Sequence, residues 1–346
     1  PIPENLQEYG YSGNGVLRLC QDHPVFILRF DLRAPGPTPP SELYAAALDM
    51  AEWGEANGAL TVILSQHHGS EDGYLPSPVV MAAAVAARTT TVPVNIAALL
   101  LLMYDPIKLA EDLNVLDHLS RGRVSATIGL GYRPEEYAMF GVDVTVRGAE
   151  MEERLGVLQQ AITGDTVRWR GRTATVRPRP YTAGGMALAY GGSTPAAARR
   201  AARFGLTYFG EADRPDLVQV YEAEAARVGR EPAGCLIPSA GSPNSLFVAE
   251  DVDAAWAEIG PHLLHDAMTY GAWMGEDHDA VSRSRATTVE ELRAEGGNYR
   301  IVTPDEAVEL VRTNGYLSLQ PLCGGLAPEA AWSSLRLIVD EVLPRV

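Results

Sequence analysis

Residues 92–131 read VPVNIAALLLLMYDPIKLAEDLNVLDHLSRGRVSATIGLG, and the architecture of the chain can be worked out from this pattern. The apolar run from Val92 to Leu101 predicts a strand that is covered on both faces, as the strands of parallel sheets are. Asp105 then begins a stretch of helical periodicity that ends at Gly122, and the run Val124 to Ile128 predicts the next strand. A strand–helix–strand unit of this kind favours a parallel α/β sheet.

The same alternation continues on both sides of this stretch. Eight units of strand and helix in succession predict a (β/α)8 TIM barrel of class α/β. Two segments interrupt the rhythm: a β-hairpin over residues 167–176 with Gly171 at its turn, and an irregular, polar excursion at about residues 265–303, before the last strand. A doubly wound open sheet is the competing architecture, but no Gly-x-Gly-x-x-Gly turn follows the first strand. The eight predicted strands are residues 26–30, 60–64, 92–101, 124–128, 186–190, 206–209, 245–248 and 316–322.

No sequence boundary divides the chain in two. Its 346 residues exceed an average domain of roughly 150 residues, but an α/β barrel runs to about 250 residues or more as one domain. We therefore predict one barrel domain over residues 25–346 and an N-terminal extension over residues 1–24.

Charge and composition exclude several classes of protein. With 28 basic and 44 acidic residues the net charge is −16, which disfavours sequence-independent binding to nucleic acid or to an anionic membrane surface. The longest apolar run is far short of the ~20 residues that cross a bilayer, and the first residues lack the pattern of a signal peptide. The three cysteines are too widely spaced for a metal knuckle, and no metal-binding or Gly-x-Ser-x-Gly motif occurs. We expect a cytoplasmic protein without a metal.

In a barrel, the informative positions are those directly after each strand. After the second predicted strand come Gln66, His67 and His68, followed by Glu71 and Asp72. Imidazoles beside carboxylates can titrate near neutral pH, so this group is a candidate for acid–base chemistry. An incidental pair of histidines in a loop is the alternative.

The fifth predicted strand is followed by Gly191, Gly192, Ser193 and Thr194, directly before a helix. Backbone amides, hydroxyls and the positive end of a helix together make a phosphate site. A glycine-rich turn with an ordinary helix cap explains the same residues. The small side chains of Ala97 and Ala98 would leave room for a planar ring, and core packing explains them equally well.

Taken together, these motifs resemble the bacterial luciferase-like flavin monooxygenase family in order and spacing. The resemblance implies a (β/α)8 barrel, as the alternation indicates independently. Weaker similarity extends from about residue 25 to the end. The segments that carry the match are residues 66–68, 105–112, 116–117, 119–123, 129–131 and 140–141, with 191–194 and 324–326 as weaker parts.

The resemblance also implies roles for individual residues. His67 matches the histidine near the reacting edge of the flavin, where it would assist deprotonation or stabilise a flavin peroxide, and His68 would support it. Ala97 and Ala98 match a pair often joined by a cis peptide beneath the flavin ring. Further cofactor-binding positions are Gly191, Gly192, Ser193 and Thr194 at the phosphate, and Leu130, Gly131, Tyr132 and Arg133 along the cofactor, with Arg133 as a partner for a phosphate or ring carbonyl.

Two positions depart from the family pattern. Gln66 stands where the luciferase branch commonly has glutamate, and Leu130 stands where the luciferase subunit has a basic residue. Light emission is therefore not implied, and phosphate binding would depend more on the turn after the fifth strand or on Arg133.

The function that follows is a monooxygenase that takes reduced FMN from a separate flavin reductase and uses O2 to oxygenate an organic small molecule. One alternative is a hydride-transfer oxidoreductase that uses the deazaflavin coenzyme F-420, and another is a non-catalytic barrel subunit. The resemblance also implies a homodimer. Apolar candidates for the substrate wall are Tyr74, Tyr270, Trp273 and Met274.

Overall fold

The computed structural model describes residues 26–238, 241–274 and 283–346. The expected N-terminal extension, residues 1–24, lies outside the described residues. Twelve strands occur in the described ranges: β1 (Phe26–Phe30), β2 (Ala59–Leu64), β3 (Val94–Leu100), β4 (Val124–Gly129), β5 (Thr166–Trp169), β6 (Arg172–Thr175), β7 (Ala187–Gly191), β8 (Thr207–Phe209), β9 (Cys235–Leu236), β10 (Ser245–Val248), β11 (Tyr299–Val302) and β12 (Leu317–Leu319).

Helices separate most of the successive strands along the chain. They are α1 (Pro40–Ala56), α2 (Pro78–Arg88), α3 (Pro106–Ser120), α4 (Pro134–Met139), α5 (Arg147–Ala161), α6 (Pro195–Phe204), α7 (Pro215–Arg227), α8 (Val252–Met274), α9 (Val289–Glu295), α10 (Pro304–Asn314) and α11 (Pro328–Leu337).

Ten of the strands form one sheet in which every ladder is parallel, in the order β11-β10-β12-β1-β2-β3-β4-β7-β8-β9. The last strand, β12, pairs with the first through Phe26 and Leu317. This neighbour relation between first and last strand is the one that a barrel of βα units requires. The α/β class with a parallel sheet is confirmed, and each of the eight predicted strands is present.

Local sequence explains where α3 begins and ends. The side chain of Asp105 accepts a hydrogen bond from the Ile107 amide and caps the first turn. Arg121 and Gly122 both have positive φ, which ends the helix. Leu109 and Leu113 on its inner face are fully buried, and burial of such a side chain contributes about 1.5–3 kcal/mol.

The predicted hairpin is confirmed as the antiparallel pair β5–β6. Arg170 and Gly171 at its turn both have positive φ, as a two-residue type I′ turn requires.

In the stretch expected to be irregular, the described residues contain more regular structure than the sequence indicated. Helix α8 continues to Met274, and α9 and β11 lie between residues 289 and 302. Polar residues on the buried face of α8, such as Asp266, conceal the helical period of its second half. Strand β9 has only two residues, too few for a hydrophobic pattern to reveal. The sheet therefore has two strands more than the eight predicted.

Among the residues described, no helix has both the length and the apolar character needed to cross a bilayer.

Candidate active site

The carboxyl end of β2 places three side chains at the rim of the sheet. Gln66, His67 and His68 follow Leu64 and are all buried. Because the neighbouring strands β1 and β3 run parallel to β2, their carboxyl ends lie at the same rim.

His67 is held by a buried carboxylate. Its Nδ1 atom lies 2.8 Å from Oε1 of Glu136, a residue of the short helix α4 that is 0% exposed. The same oxygen accepts a hydrogen bond of 2.8 Å from the His68 amide. Glu136 therefore fixes both the ring of His67 and the loop that carries it.

The electrostatics favour a neutral His67 beside an ionised Glu136. Burial lowers the pKa of the His67 ring, and the hydrogen bond with Glu136 offsets only part of this effect. Burial by itself would raise the pKa of Glu136, but the bonds from His67 and from the His68 amide hold it below its usual range. A neutral ring that donates from Nδ1 has a lone pair on Nε2, which can accept a hydrogen bond or a proton.

The segment after β4 faces that second nitrogen. The hydroxyl of Tyr132 lies 3.2 Å from Nε2 of His67. The guanidinium of Arg133 donates to the His68 carbonyl at 2.8 Å and lies 4.0 Å from the ring centroid of Trp273. Arg133 thus lies beside the histidines; that it binds a phosphate or ring carbonyl of the cofactor stays a prediction.

Gln66 connects the rim to the next strand. Its Oε1 accepts from the Leu100 amide at 2.9 Å, and its Nε2 donates to the hydroxyl of Tyr104 at 2.9 Å and lies 2.6 Å from Nε2 of His68. This amide therefore orients His68, whose pKa is lowered by burial.

Three of the four proposed substrate-wall residues surround His67. The ring centroids of Tyr74, Tyr270 and Trp273 lie 4.8, 6.2 and 4.9 Å from that of His67. The hydroxyls of Tyr74 and Tyr270 are 2.8 Å apart. We call these three rings the aromatic wall. Met274, the fourth candidate, follows Trp273 at the end of α8.

The glycine-rich turn lies between β7 and α6. Thr194 caps α6 by accepting from the Ala197 amide, as the sequence indicated. Gly192 has a φ of 147°, and a Cβ atom there would lie 2.8 Å from Cβ of Ala197. Position 192 therefore has no room for a side chain, and its N–H donates to the Phe209 carbonyl at 3.1 Å. Gly191 and Ser193 complete this segment of the rim.

The small residues expected beneath a ring lie at the end of β3. The Ala97–Ala98 peptide is cis, which confirms the expectation from the resemblance. Both alanines are only partly buried, and a Cβ atom on the facing Gly129 would lie 2.6 Å from Cβ of Ala98. Leu130 and Gly131, which follow β4, are also partly exposed at this rim.

Glu136 is a residue of this site that the sequence analysis did not identify. It lies 69 residues from His67, so no local spacing connects the two. The available signal was its place in the segment after β4, two residues beyond Pro134. Arg33, which follows β1, was also missed and is fully buried next to the aromatic wall.

Within the described residues, no group of three or more His, Cys, Asp or Glu side chains is arranged to hold a metal ion.

Comparison with known proteins gives one consistent family. A family model described as Luciferase-like monooxygenase matches residues 25–317. The alkanal monooxygenase alpha chain of Photorhabdus laumondii is 29% identical over 171 residues, 48% of each chain. An uncharacterised protein of Sinorhizobium fredii, y4wF, is 34% identical over 128 residues, 37% of each chain. The matches thus span half or less of the length of these curated relatives.

Solved structures match over nearly the whole chain. Monooxygenase RslO1 from Streptomyces bottropensis has a TM-score of 0.71 and 23% identity, with 93% of this chain and 99% of that chain covered. The oxygenating constituent of 3,6-diketocamphane monooxygenase from Pseudomonas putida, in complex with FMN, has a TM-score of 0.65 and 18% identity, covering 94% and 99%. An F420-dependent secondary alcohol dehydrogenase has a TM-score of 0.58 and 15% identity, covering 89% and 98%. At these identities the similarity establishes the fold.

Proposed function

The chain belongs to the luciferase-like monooxygenase family, and from this premise we propose that it is a flavin-dependent monooxygenase that uses reduced FMN and O2 to oxygenate an organic small molecule. The observation that carries the proposal is the buried, neutral His67, whose Nδ1 is fixed by Glu136 and whose Nε2 faces Tyr132.

The residues at the rim fit FMN. The partly exposed side chains of Ala97 and Ala98 would offer a small apolar floor for the ring. The turn at Gly192 leads directly into α6, and the positive potential at the N-terminus of a helix would favour a phosphate there. Ser193 and Thr194 add hydroxyls at the same place. Gly131 and Leu130 would line the cofactor between these two ends.

The chain's own residues would move protons and exclude water. Reduced FMN, when bound, supplies the electrons with which oxygen is activated. Nε2 of His67 would accept a proton from the reacting group, and the charge of Glu136 would stabilise the imidazolium so formed. Gln66 holds His68 in place behind His67. The aromatic wall would keep water from the reacting atoms and offer an apolar surface to the substrate.

Partners follow from the same proposal. No dinucleotide fingerprint occurs in the sequence, so a separate flavin reductase would supply the reduced flavin. We further propose that the protein acts in the cytoplasm and as a homodimer, the state that the family resemblance implies.

The deazaflavin alternative has a specific basis. An F420-dependent dehydrogenase shares this fold, and the turn at Gly192 would accept its phosphate as well as that of FMN. In that case His67 would serve a hydride transfer, with no consumption of oxygen.

Parallel binding experiments separate these functions. The purified protein is titrated anaerobically with reduced FMN and with reduced F420, and oxygen consumption is then followed after mixing with air. FMN binding with oxygen uptake supports the monooxygenase. F420 binding without oxygen uptake supports hydride transfer, and binding of neither supports a non-catalytic subunit.

A further inference from the structure

A buried arginine ties together the segments that carry the aromatic wall. Arg33 lies in the loop after β1, two residues beyond Asp31, and is 0% exposed. Its Nε lies 3.0 Å from Oδ2 of Asp31 and 2.9 Å from Oδ1 of Asp266, and its Nη1 lies 2.8 Å from Oδ2 of Asp72. The three carboxylates come from the end of β1, from helix α8 and from the loop after β2.

Two of these three carboxylates lie close in sequence to rings of the wall, and we call them the anchors. Asp72 is two residues before Tyr74, and Asp266 is one helical turn before Tyr270 on α8. The guanidinium carbon of Arg33 lies 4.5, 4.8 and 4.8 Å from the centroids of Tyr74, Tyr270 and Trp273. Arg33 therefore contacts every ring of the wall as well as both anchors.

Each carboxylate has a further partner from another part of the fold. Gln320 donates to Asp31 at 3.0 Å. Tyr299 donates to Asp266 at 2.8 Å, and Nε2 of His265 lies 3.0 Å from Asp72. Burial opposes the charge of Arg33, but Asp266 and Asp31 raise its pKa well above the ordinary value, so it stays a cation. Its planar fork hydrogen-bonds Asp31 through Nε and Asp72 through Nη1, and its charge lies within ion-pair distance of Asp266.

We propose that Arg33 is a positioning residue that holds the aromatic wall closed over His67 and so keeps water out of the reaction chamber. The proposal rests on the proposed function, because it concerns the chamber in which His67 would act. Lysine at this position would keep the charge but would lack the planar fork, so it could not hold Asp72 and Asp266 together.

Two readouts that need no flavin test this role. Labelling with 5-fluorotryptophan gives one ¹⁹F resonance for each of the five tryptophans, and Trp273→Phe identifies the signal of Trp273. The second readout is the pKa of the His67 ring from NMR. The variants are Arg33→Lys and Asp72→Asn, and Arg88→Lys is the matched control, because Arg88 is an exposed arginine that also pairs with two carboxylates.

We expect the Trp273 resonance to shift and broaden in Arg33→Lys and Asp72→Asn, and to stay unchanged in Arg88→Lys. Water that reaches His67 should raise its pKa in Arg33→Lys towards the ordinary value of about 6.5, although the positive charge is retained. Trp53 and Trp332 pack on each other with ring centroids 5.7 Å apart and are not part of the aromatic wall. Their resonances should not move in any variant. That result excludes a general loss of structure.

An unchanged Trp273 signal and an unchanged His67 pKa in both variants would overturn the role of Arg33. Movement of Trp53 and Trp332 together with Trp273 would also overturn it, because Arg33 would then support the whole fold. Titration of the unsubstituted protein with reduced FMN is run beside these experiments. Failure to bind any reduced flavin counts against the proposed function alone, since neither readout depends on flavin.

Discussion

Nδ1 of His67 and Oε1 of Glu136 lie 2.8 Å apart, although the two residues are 69 positions apart in the chain. Glu136 is completely buried. Its charge opposes part of the decrease that burial causes in the pKa of His67, and it favours the tautomer with a proton on Nδ1. A side chain outside the reacting centre thus determines which nitrogen of His67 carries the lone pair.

Glu136→Gln should make the His67 ring a weaker base without moving it. The amide keeps a hydrogen-bonding oxygen but removes the negative charge, so we expect the pKa of His67 to fall below its value in the unsubstituted protein. The proton on Nδ1 would also be less strongly preferred. Turnover should decrease by about 10²–10⁴-fold, the range that a positioned acid–base group contributes.

The check is a pH titration of the ¹⁵N-labelled His67 ring, with Glu135→Gln as the matched control on the exposed side of the same helix. A His67 pKa that rises in Glu136→Gln, or that moves equally in both variants, would show that Glu136 does not act on this ring.

Gly192→Ala should reduce the affinity for FMN more than the affinity for riboflavin. The added Cβ atom would lie 2.8 Å from Ala197 Cβ at a φ of 147°, so the turn must shift where we place the phosphate. Riboflavin lacks that phosphate and should bind the variant and the unsubstituted protein alike.

Fluorescence titration with the two ligands measures this difference. Gly297→Ala serves as the control, because nothing lies within 4 Å of a Cβ atom there. Equal losses of affinity for FMN and riboflavin would place the phosphate elsewhere on the rim.

The carboxyl group of Asp31 should make stability depend on pH. Burial and, to a smaller extent, the charge of Asp266 raise its pKa to about 7, and this value already includes the opposing effect of Arg33. Unfolded, the same group titrates near 3.9, so between about pH 4 and pH 7 the native state binds the extra proton. The contribution of Asp31 to the free energy of unfolding therefore decreases as the pH rises through this window and is constant above it.

Asp31→Asn removes this titration. The difference in unfolding free energy between variant and unsubstituted protein should move in favour of the variant from pH 4 to pH 7 and then level off. Urea unfolding at a series of pH values measures it, with the exposed Asp340→Asn as control. A difference that does not vary with pH would contradict the raised pKa.

The sequence predicted the parts of the molecule that depend on short-range pattern. The apolar run from Val92 and the helical periodicity from Asp105 were sufficient for β3 and α3, and the positions after each strand gave Gln66, His67 and Gly192 as candidates. Glu136 was not identified, because its importance comes from a contact across 69 residues.

The second half of α8 was missed for a related reason. Asp266 and His265 are polar residues that lie within ion-pair distance of Arg33 and Asp72, so this helix does not display an apolar stripe where it meets the site. A hydrophobic period cannot reveal a helix whose inner face is stabilised by ion pairs.

Replacement of His67 by alanine tests most directly whether this ring acts at a bound flavin. Reduced FMN is titrated anaerobically into the unsubstituted protein, His67→Ala and the surface control His118→Ala, and each complex is then mixed with oxygen in a stopped-flow spectrometer. We predict similar dissociation constants for all three proteins, and a reaction of the bound reduced flavin with oxygen that is about 10²-fold slower in His67→Ala alone, the lower end of the range for a positioned acid–base group. Equal rates in the three proteins, or a loss of flavin binding in His67→Ala in place of a change in rate, would contradict this role for His67.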